Sequence, residues 1–171
     1  MMKINITHLR KELGSNQPFS FEASARELGL DNQAIWADSM MVEGCVINKG
    51  MIYEIAGKIH ATMNQSCSRC LEDMVTILTV PFSEEYREAD FEKSSEALVQ
   101  ELNYFSGDEI DITDLIRENI LLAEPINPVC SENCRGLCPQ CGVNLNINTC
   151  GCNSTKTDPR LAVLEKLLSK D

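Results

Sequence analysis

The stretch from Cys134 to Cys152 reads CRGLCPQCGVNLNINTCGC and holds five of the nine cysteines of this 171-residue chain. Eight of the nine form four closely spaced pairs: Cys67 and Cys70, Cys130 and Cys134, Cys138 and Cys141, and Cys150 and Cys152. Tetrahedral zinc binds four thiolates, commonly as two short-spaced pairs. The four pairs therefore predict two complete metal sites. Cys45 is left over inside a strand pattern, where we expect a small buried hydrophobe.

The grouping of the pairs is less constrained than their number. The short loop 142–149 favours one site made of Cys138, Cys141, Cys150 and Cys152, and a second made of Cys67, Cys70, Cys130 and Cys134. A competing partition joins Cys67 and Cys70 to Cys138 and Cys141, and a single metal site with free thiols elsewhere is a third arrangement. Iron or an iron–sulfur cluster also accepts four cysteines. We expect two structural zinc ions, because a four-thiolate zinc has no open position for water or substrate.

The N-terminal segment and the hydropathy of the chain indicate the cellular compartment in which we expect the protein. The N-terminal MMKINITHLRKELG has no apolar run of the kind that forms a signal peptide. No stretch approaches the ~18 apolar residues of a membrane span. We therefore expect a cytoplasmic protein without a membrane partner. Thiols stay reduced in that compartment, so clustered cysteines are interpreted as metal ligands rather than as disulfides.

The negative charge is concentrated in one segment. The net charge is -11, and residues 84–118 contain twelve acids and three bases, which is a net -9. This segment is either a solvated acidic face or a surface for a basic partner. The candidate partner-binding residues are Glu84, Glu85, Glu88, Asp90 and Glu92. Either interpretation disfavours direct contact with nucleic acid, whose phosphates are neutralised mainly by Lys and Arg. Two four-thiolate zinc sites would make the net charge about -15.

The front half of the chain predicts a β-rich structure. Segments 18–25, 39–48, 51–65 and 73–86 are rich in β-branched and aromatic residues, and polar and apolar residues alternate over part of their length. Short turns between them favour an antiparallel sheet or partial β-barrel. The acidic run that follows, 83–102, is interpreted as a mobile connector or a partly helical insertion.

The back half predicts helices around the cysteine-rich module. Segment 109–125 is predicted as an amphipathic helix with Asp111 or Thr113 at its start. Its apolar stripe is Ile112, Leu115, Ile116, Ile120 and Leu121. Segment 158–171 is predicted as a C-terminal helix that begins at Asp158 and Pro159. The fold class is therefore α+β. We expect a domain over 1–125, and a zinc module with the C-terminal helix over 126–171, packed as one unit.

Motifs of catalysis are missing from the sequence. There is no HExxH, no GxSxG and no Walker A loop, and no H-x-E precedes a cysteine pair as zinc deaminases require. The two histidines, His8 and His60, are expected to be surface or packing residues. We therefore predict a protein that is not an enzyme and has no small-molecule substrate.

Three stretches together resemble one known family. These are CSRCLE from Cys67, the run from Glu109 to Asn146 that contains GLCPQCGVNLN, and CGC followed by DPRLAVLEKL. They are similar to the YceD-like family of large ribosomal RNA subunit accumulation proteins of bacteria and chloroplasts. The resemblance is strong over 67–71 and 109–168 and weaker over the N-terminal strands. It implies a role in the accumulation of 23S ribosomal RNA and in ribosome biogenesis, and it supplies no catalytic activity.

Charge and resemblance together suggest action through a protein partner. We expect the acidic segment to hold a basic large-subunit ribosomal protein or a pre-large-subunit particle, so that contact with ribosomal RNA is direct or indirect. One alternative is a zinc-ribbon protein that binds ribosomal RNA through basic residues, namely Arg69, Arg135, Lys156 and Arg160. The other is a thiol redox or zinc-dependent enzyme.

Overall fold

The computed structural model describes residues 1–30, 36, 39–89 and 103–152. The chain forms two compact units. The first consists of Met1–Gln65 and Met74–Ile126, and the second of Ser66–Asp73 and the chain from Asn127 onwards. The second unit therefore contains the early Cys67–Cys70 loop as well as the late cysteines. The predicted division into domains 1–125 and 126–171 stays a prediction, since a compact unit need not fold independently.

The larger sheet has five strands in the order β2-β3-β4-β5-β6. They are β2 Asn16–Ala23, β3 Met40–Asn48, β4 Ile52–Ser66, β5 Asp73–Glu88 and β6 Asn103–Phe105. Strand β3 pairs antiparallel with both β2 and β4, whereas β6 pairs parallel with β5. The predicted β-rich half is confirmed, but the sheet is mixed rather than purely antiparallel. The sequence did not reveal β6, because three residues are too few to show an alternating pattern. The partial barrel stays a prediction.

The core of the first unit is aliphatic. Buried and more exposed side chains alternate along most of β3 and β4, so one face of each strand packs into the core. The residues on this face with no exposed surface are Val42, Val46, Ile55, Ile59 and Met63. Burial of a side chain of this size stabilises a fold by roughly 1.5–3 kcal/mol. The first unit therefore has the hydrophobic core that its Ile, Leu, Val and Met content predicts.

A second sheet, of two strands, contains residues that the sequence predicted to begin the helix. Strand β1, Lys3–Asn5, pairs antiparallel with β7, Glu109–Asp111, and the helix α1 spans Thr113–Ala123. The prediction that the helix starts at residue 109 is therefore wrong. The Asp111 carboxylate accepts a hydrogen bond from the Thr113 backbone N–H at 2.9 Å, which satisfies one of the free donors of the first turn. The tertiary pairing of β7 with β1 overrides the helical pattern of the segment.

The predicted stripe of α1 is wider than its buried face. Leu115, Ile116 and Ile120 are buried, whereas Leu121 is 38% exposed.

None of the described helices is long and apolar enough to cross a membrane. The first part of the proposed connector, up to Glu88, belongs to β5 instead. The rest of the connector from residue 90 to 102 and the predicted C-terminal helix lie outside the described residues.

Asn48 is a buried polar residue at the end of β3. Its side-chain amide donates hydrogen bonds to the carbonyl oxygens of Leu9 at 2.6 Å and Glu12 at 3.2 Å. Its side-chain oxygen accepts one from the Gly50 backbone N–H at 2.7 Å, in the turn that leads to β4. Gly50 has a φ of +99°, which few other residues adopt easily. Asn48 thus ties the chain around the 3-10 helix, Leu9–Lys11, to the β3–β4 turn.

Asn48→Asp is expected to destabilise the protein. The substitution is almost isosteric, but it turns a donating amide into a carboxylate oxygen that faces two carbonyl oxygens. Because a buried group then loses its partners, we expect the free energy of unfolding to fall by about 2 kcal/mol. Urea denaturation measures the change. Asn16→Asp, at an exposed strand position, is the matched control and should change stability by less than about 0.5 kcal/mol. Equal effects of the two substitutions would contradict the role given to Asn48.

Candidate metal centres

The first cysteine loop lies between β4 and β5 and has a fixed backbone geometry. The Leu71 backbone N–H donates to the Cys67 carbonyl oxygen at 2.9 Å, and the Cys67 N–H donates to the Glu72 carbonyl oxygen at 2.9 Å. The Arg69 backbone N–H points at the Cys67 sulfur at 3.4 Å. Leu71 has a φ of +60°. This tight turn directs the two thiols of the Cys67–Cys70 pair to one side.

The loop that starts at Cys138 repeats this geometry. The Gly142 N–H donates to the Cys138 carbonyl oxygen at 2.9 Å, and the Cys138 N–H donates to the Val143 carbonyl oxygen at 2.9 Å. Gly142 has a φ of +72°, as its place after the second cysteine suggested. Leu71 occupies the equivalent position in the first loop. No sequence signal predicts that conformation, because a left-handed backbone is uncommon for any residue with a β-carbon.

The structure gathers eight cysteines into two groups of four. Within each group, all the sulfur atoms lie within 4.8 Å of one another. The groups are Cys67, Cys70, Cys130 and Cys134, and Cys138, Cys141, Cys150 and Cys152. This is the grouping that the loop 142–149 favoured, and the competing partition is wrong. In the first group, the Cys67 and Cys134 sulfurs are 3.8 Å apart and the Cys70 and Cys130 sulfurs are 3.7 Å apart.

Cys45 belongs to neither group. It lies in β3 and is half-buried, and its thiol approaches the Val46 carbonyl oxygen at 3.7 Å. The expectation of a fully buried residue is therefore wrong. Cys45 therefore provides a control position for substitutions of the eight clustered cysteines.

The clustered thiols differ in pKa. Hydrogen bonds from the backbone of Cys130 and Cys70 lower the pKa of Cys67 to about 6. A hydrogen bond from the backbone of Glu72 also favours the thiolate of Cys70, but burial and the neighbouring thiols outweigh it and raise the pKa of Cys70 to about 12. One sulfur of the group thus ionises readily while an adjacent one keeps its proton.

The second group shows the same division. Hydrogen bonds from the backbone of Cys141 and Gln140 lower the pKa of Cys138 to about 6. The Cys141 thiol, burial and nearby negative charge raise the pKa of Cys152 to about 12. Four adjacent thiolates repel one another unless a cation lies among them, so metal binding would release the remaining protons. The donor set of each group therefore fits a metal ion that prefers sulfur.

The second unit has little else to hold it together. Among its described residues, the buried side chains are those of four cysteines, Cys67, Cys70, Cys134 and Cys138. The hydrophobic core cluster draws on the first unit alone. Small folds without a sufficient core generally need a disulfide or a metal. The nine cysteines form no disulfide. The composition of this unit therefore favours metal ions as its source of stability.

Two side chains support the first group from outside. Asn146 donates from its amide to the Cys134 sulfur at 3.3 Å, and its side-chain oxygen accepts from the Arg135 backbone N–H at 2.8 Å. The first of these bonds is the main cause of the lowered pKa of Cys134. The Arg69 guanidinium donates to the carbonyl oxygens of Glu132 at 3.2 Å and Cys134 at 3.1 Å. The sequence does not single out Asn146, because an asparagine in a polar loop carries no specific signal.

The candidate acidic residues have unequal surroundings. The Glu88 carboxylate forms an ion pair with Arg10 at 2.8 Å, and Glu85 forms one with Lys49 at 3.7 Å. Glu84 has no ion pair within the described part of the chain. Asp90 and Glu92 lie outside the described residues. The acidic surface is thus partly neutralised by the protein itself.

The histidines do not assemble a catalytic group among the described residues. One His60 ring nitrogen lies 3.4 Å from the Glu43 carboxylate and the other lies 3.3 Å from the Thr79 hydroxyl, on an open strand surface. His8 is exposed next to the 3-10 helix. Both are surface residues, as the sequence analysis expected.

Comparison with known proteins gives a family match over most of the chain. The family model "Large ribosomal RNA subunit accumulation protein YceD" matches residues 55–168. An uncharacterized protein of Mycobacterium tuberculosis is 28% identical over 144 residues, which are 84% of this chain and 67% of that protein. Protein YlbN of Bacillus subtilis, also uncharacterized, is 34% identical over 115 residues, 66% of this chain and 64% of its own length.

A plant protein carries a functional name. The large ribosomal RNA subunit accumulation protein YCED homolog 1, chloroplastic, of Zea mays is 49% identical over 45 residues, which are 26% of this chain and 15% of that protein. No solved structure matches the chain.

Single cysteine substitutions should remove the metals one at a time. We expect about two metal ions per purified chain, and about one in either Cys67→Ser or Cys138→Ser, because each group needs its four sulfurs. Elemental analysis of the purified variants measures the content. Cys45→Ser is the matched control, and it should keep both ions. Loss of both ions from either single variant would contradict two independent groups.

Asn146→Ala should weaken metal binding at the first group. The substitution removes the amide that donates to the Cys134 sulfur without removing a sulfur. Loss of such a supporting hydrogen bond typically lowers metal affinity by about 10–100-fold. Competition with a chelator measures the affinity. Asn148→Ala, in the same loop and exposed, is the control that should leave affinity unchanged. Identical affinities of the two variants would exclude this role for Asn146.

Proposed function

Because the chain belongs to the YceD family of large ribosomal RNA subunit accumulation proteins, we propose that it supports accumulation of 23S ribosomal RNA and assembly of the large ribosomal subunit. The observation that carries this proposal is the family match over residues 55–168, which includes all eight clustered cysteines. The named plant homologue points the same way. The cytoplasm, where thiols stay reduced, is the compartment in which we expect it to act.

The partner in this proposal is a basic ribosomal protein or an assembly intermediate that contains one. A chain of net charge -11 is attracted to cationic surfaces and repelled by phosphates. An acidic surface of this kind would mask the charge of a basic protein before that protein meets RNA. The acidic surface would hold the partner and release it to the growing particle. Such attraction also speeds encounter, and it should weaken as salt rises.

Zinc is the metal that we propose for both groups. Four cysteine sulfurs in close contact suit Zn²⁺, which prefers tetrahedral thiolate sites. Cys67, Cys70, Cys130 and Cys134 would hold one ion, and Cys138, Cys141, Cys150 and Cys152 the other. A bound Zn²⁺ would neutralise the crowded thiolates and supply folding free energy to a unit that has few buried side chains.

The same donor set supports a role without catalysis. Four protein ligands leave no position for a water molecule or a substrate, as a catalytic zinc requires. Neither His8 nor His60 belongs to a group of candidate metal ligands among the described residues. We therefore propose a non-enzymatic factor, whose metal sites shape the protein rather than transform a substrate.

Direct binding to ribosomal RNA is the competing function. Its candidate contacts include Arg69, whose guanidinium already donates to two backbone carbonyl oxygens. That arginine is less available to a phosphate than a free surface cation. Lys156 and Arg160 lie outside the described residues. The net negative charge of the chain favours the protein partner. Ribonuclease treatment of the captured complex distinguishes a protein partner from RNA.

A pull-down with and without ribonuclease tests the partner. The tagged protein is captured from the native cytoplasm at low salt, and the sample is divided before ribonuclease treatment. We expect a basic large-subunit protein to remain bound after treatment. It should be lost from the variant Glu84→Gln, Glu85→Gln, Glu88→Gln, because this variant removes charge from the acidic surface.

The control variant is Glu12→Gln, Glu22→Gln, Glu43→Gln. It makes the same change in net charge at positions outside the segment 84–118. It should keep the partner. Loss of every bound protein on ribonuclease treatment would contradict the proposal and would favour direct contact with RNA. Equal losses in the two variants would show that only the net charge matters.

A further inference from the structure

The two sides of the five-stranded sheet end in strands of different character. On one side, β2 is the edge strand, and its exposed positions are Asn16, Pro18, Ser20 and Glu22. Proline and charged side chains protect an edge strand from pairing with another chain. On the other side, β6 pairs with β5 only from Tyr86 to Glu88. Over residues 74–83, no strand of the described chain covers the outer edge of β5.

The uncovered part of β5 is apolar and carries no charge. Val75 is 65% exposed and Ile77 is 78% exposed. They are two positions apart, so their side chains lie on the same face of the sheet. Residues 74–83 contain no charged side chain, although 24% of the whole chain is charged. An exposed apolar edge without charges readily pairs with a further strand.

Pro81 indicates which backbone groups of β5 point outward. Proline has no N–H group, and within a sheet it occurs where that group would point away from a neighbouring strand. Successive residues of a strand direct their N–H and C=O groups to opposite sides, so residues two apart direct them to the same side. The backbone groups of Val75, Ile77 and Thr79 therefore point away from β4. They form a row of donors and acceptors along the uncovered edge.

An antiparallel pairing of two copies of this chain about Thr76 fits this edge. In that register, Val75 of each copy lies opposite Ile77 of the other copy. Both residues direct their backbone groups outward, so each opposed pair exchanges two hydrogen bonds. The four β-branched side chains contact one another on one face, which stabilises a pair of strands. Pro81 lies beyond these pairs, and its missing N–H group breaks none of their hydrogen bonds.

Charge favours a second copy as the occupant of this edge. A cationic protein gains no attraction from an uncharged strand, whereas the acidic segment 84–118 does attract it. Two chains of net charge -11 repel each other, and the uncharged stretch lets their strands meet without opposed carboxylates. We propose that two copies of the chain form a symmetric dimer through the outer edge of β5, centred on Thr76. This inference goes beyond the proposed function and does not depend on it.

Sedimentation of the full-length, metal-loaded protein tests the dimer. A single strand edge buries less surface than the interface of a permanent complex, so we expect a reversible dimer with a Kd on the order of ten micromolar. The measured mass should rise from that of one chain to that of two as the protein concentration passes this value. Added salt should strengthen the dimer, because it screens the repulsion between two acidic chains. The mass of one chain at every concentration would overturn the inference.

Two variants test the register. Val75→Lys and Ile77→Glu each place a charge opposite an aliphatic side chain in both pairs, so each variant alone should self-associate at least about tenfold more weakly. In an equal mixture, the new lysine of one chain lies opposite the new glutamate of the other, and the second pair is unchanged. The mixture should therefore dimerise more tightly than either variant alone. Failure of the mixture to do so would exclude the register centred on Thr76.

The control variants are Leu122→Lys and Leu122→Glu. Leu122 is 85% exposed on α1, so they make the same changes in charge at an apolar surface position away from β5. They should dimerise as the unmodified chain does. All four variants should melt near the unmodified chain at a concentration where the unmodified chain is monomeric, because each replaces an exposed side chain.

The remaining outcomes separate the second copy from other occupants. A dimer that persists in both Val75→Lys and Ile77→Glu, or that weakens equally in the Leu122 variants, would show that the copies meet at a different surface. A monomeric chain that loses a captured protein on Val75→Lys would assign the edge to another protein and overturn self-pairing. Ribonuclease sensitivity of the captured complex decides the proposed function and leaves the sedimentation result unaffected.

Discussion

The close approach of four cysteine sulfurs in each group is the constraint on which the second unit depends. Cys67 lies 67 positions before Cys134 in the sequence, yet their sulfurs are 3.8 Å apart. Such contacts bring together two stretches of chain that are distant in sequence, in a unit whose buried side chains, among the described residues, are those of cysteines. Thiols at this distance differ widely in pKa, and they cannot all ionise without a counter-charge. A metal ion bound by these sulfurs would therefore also contribute folding free energy to this part of the chain.

The first unit is stabilised by a different interaction. Its strands bury a largely aliphatic core. Among the described acids, Glu88 pairs with Arg10 and Glu85 pairs with Lys49 of the same unit.

Both units fit the non-enzymatic role that we propose. With four sulfurs on one metal ion, each cysteine group would have no open position for a substrate. A factor that supports the accumulation of a ribosomal RNA has to act on an assembly crowded with phosphates and basic proteins. A negatively charged surface can discriminate strongly between those two classes of partner, because it attracts one and repels the other.

The sequence by itself determined the four close cysteine pairs, the long strands and the concentration of acids, and it favoured, without deciding, the grouping of cysteines that the structure shows. These features follow from local spacing, from alternation over many residues and from composition, so neighbouring residues suffice to reveal them. The short strands β1, β6 and β7, the left-handed Leu71 and the support of Cys134 by Asn146 were decided by the tertiary structure. Three residues show no period, and a leucine adopts a positive φ only when surrounding contacts impose it.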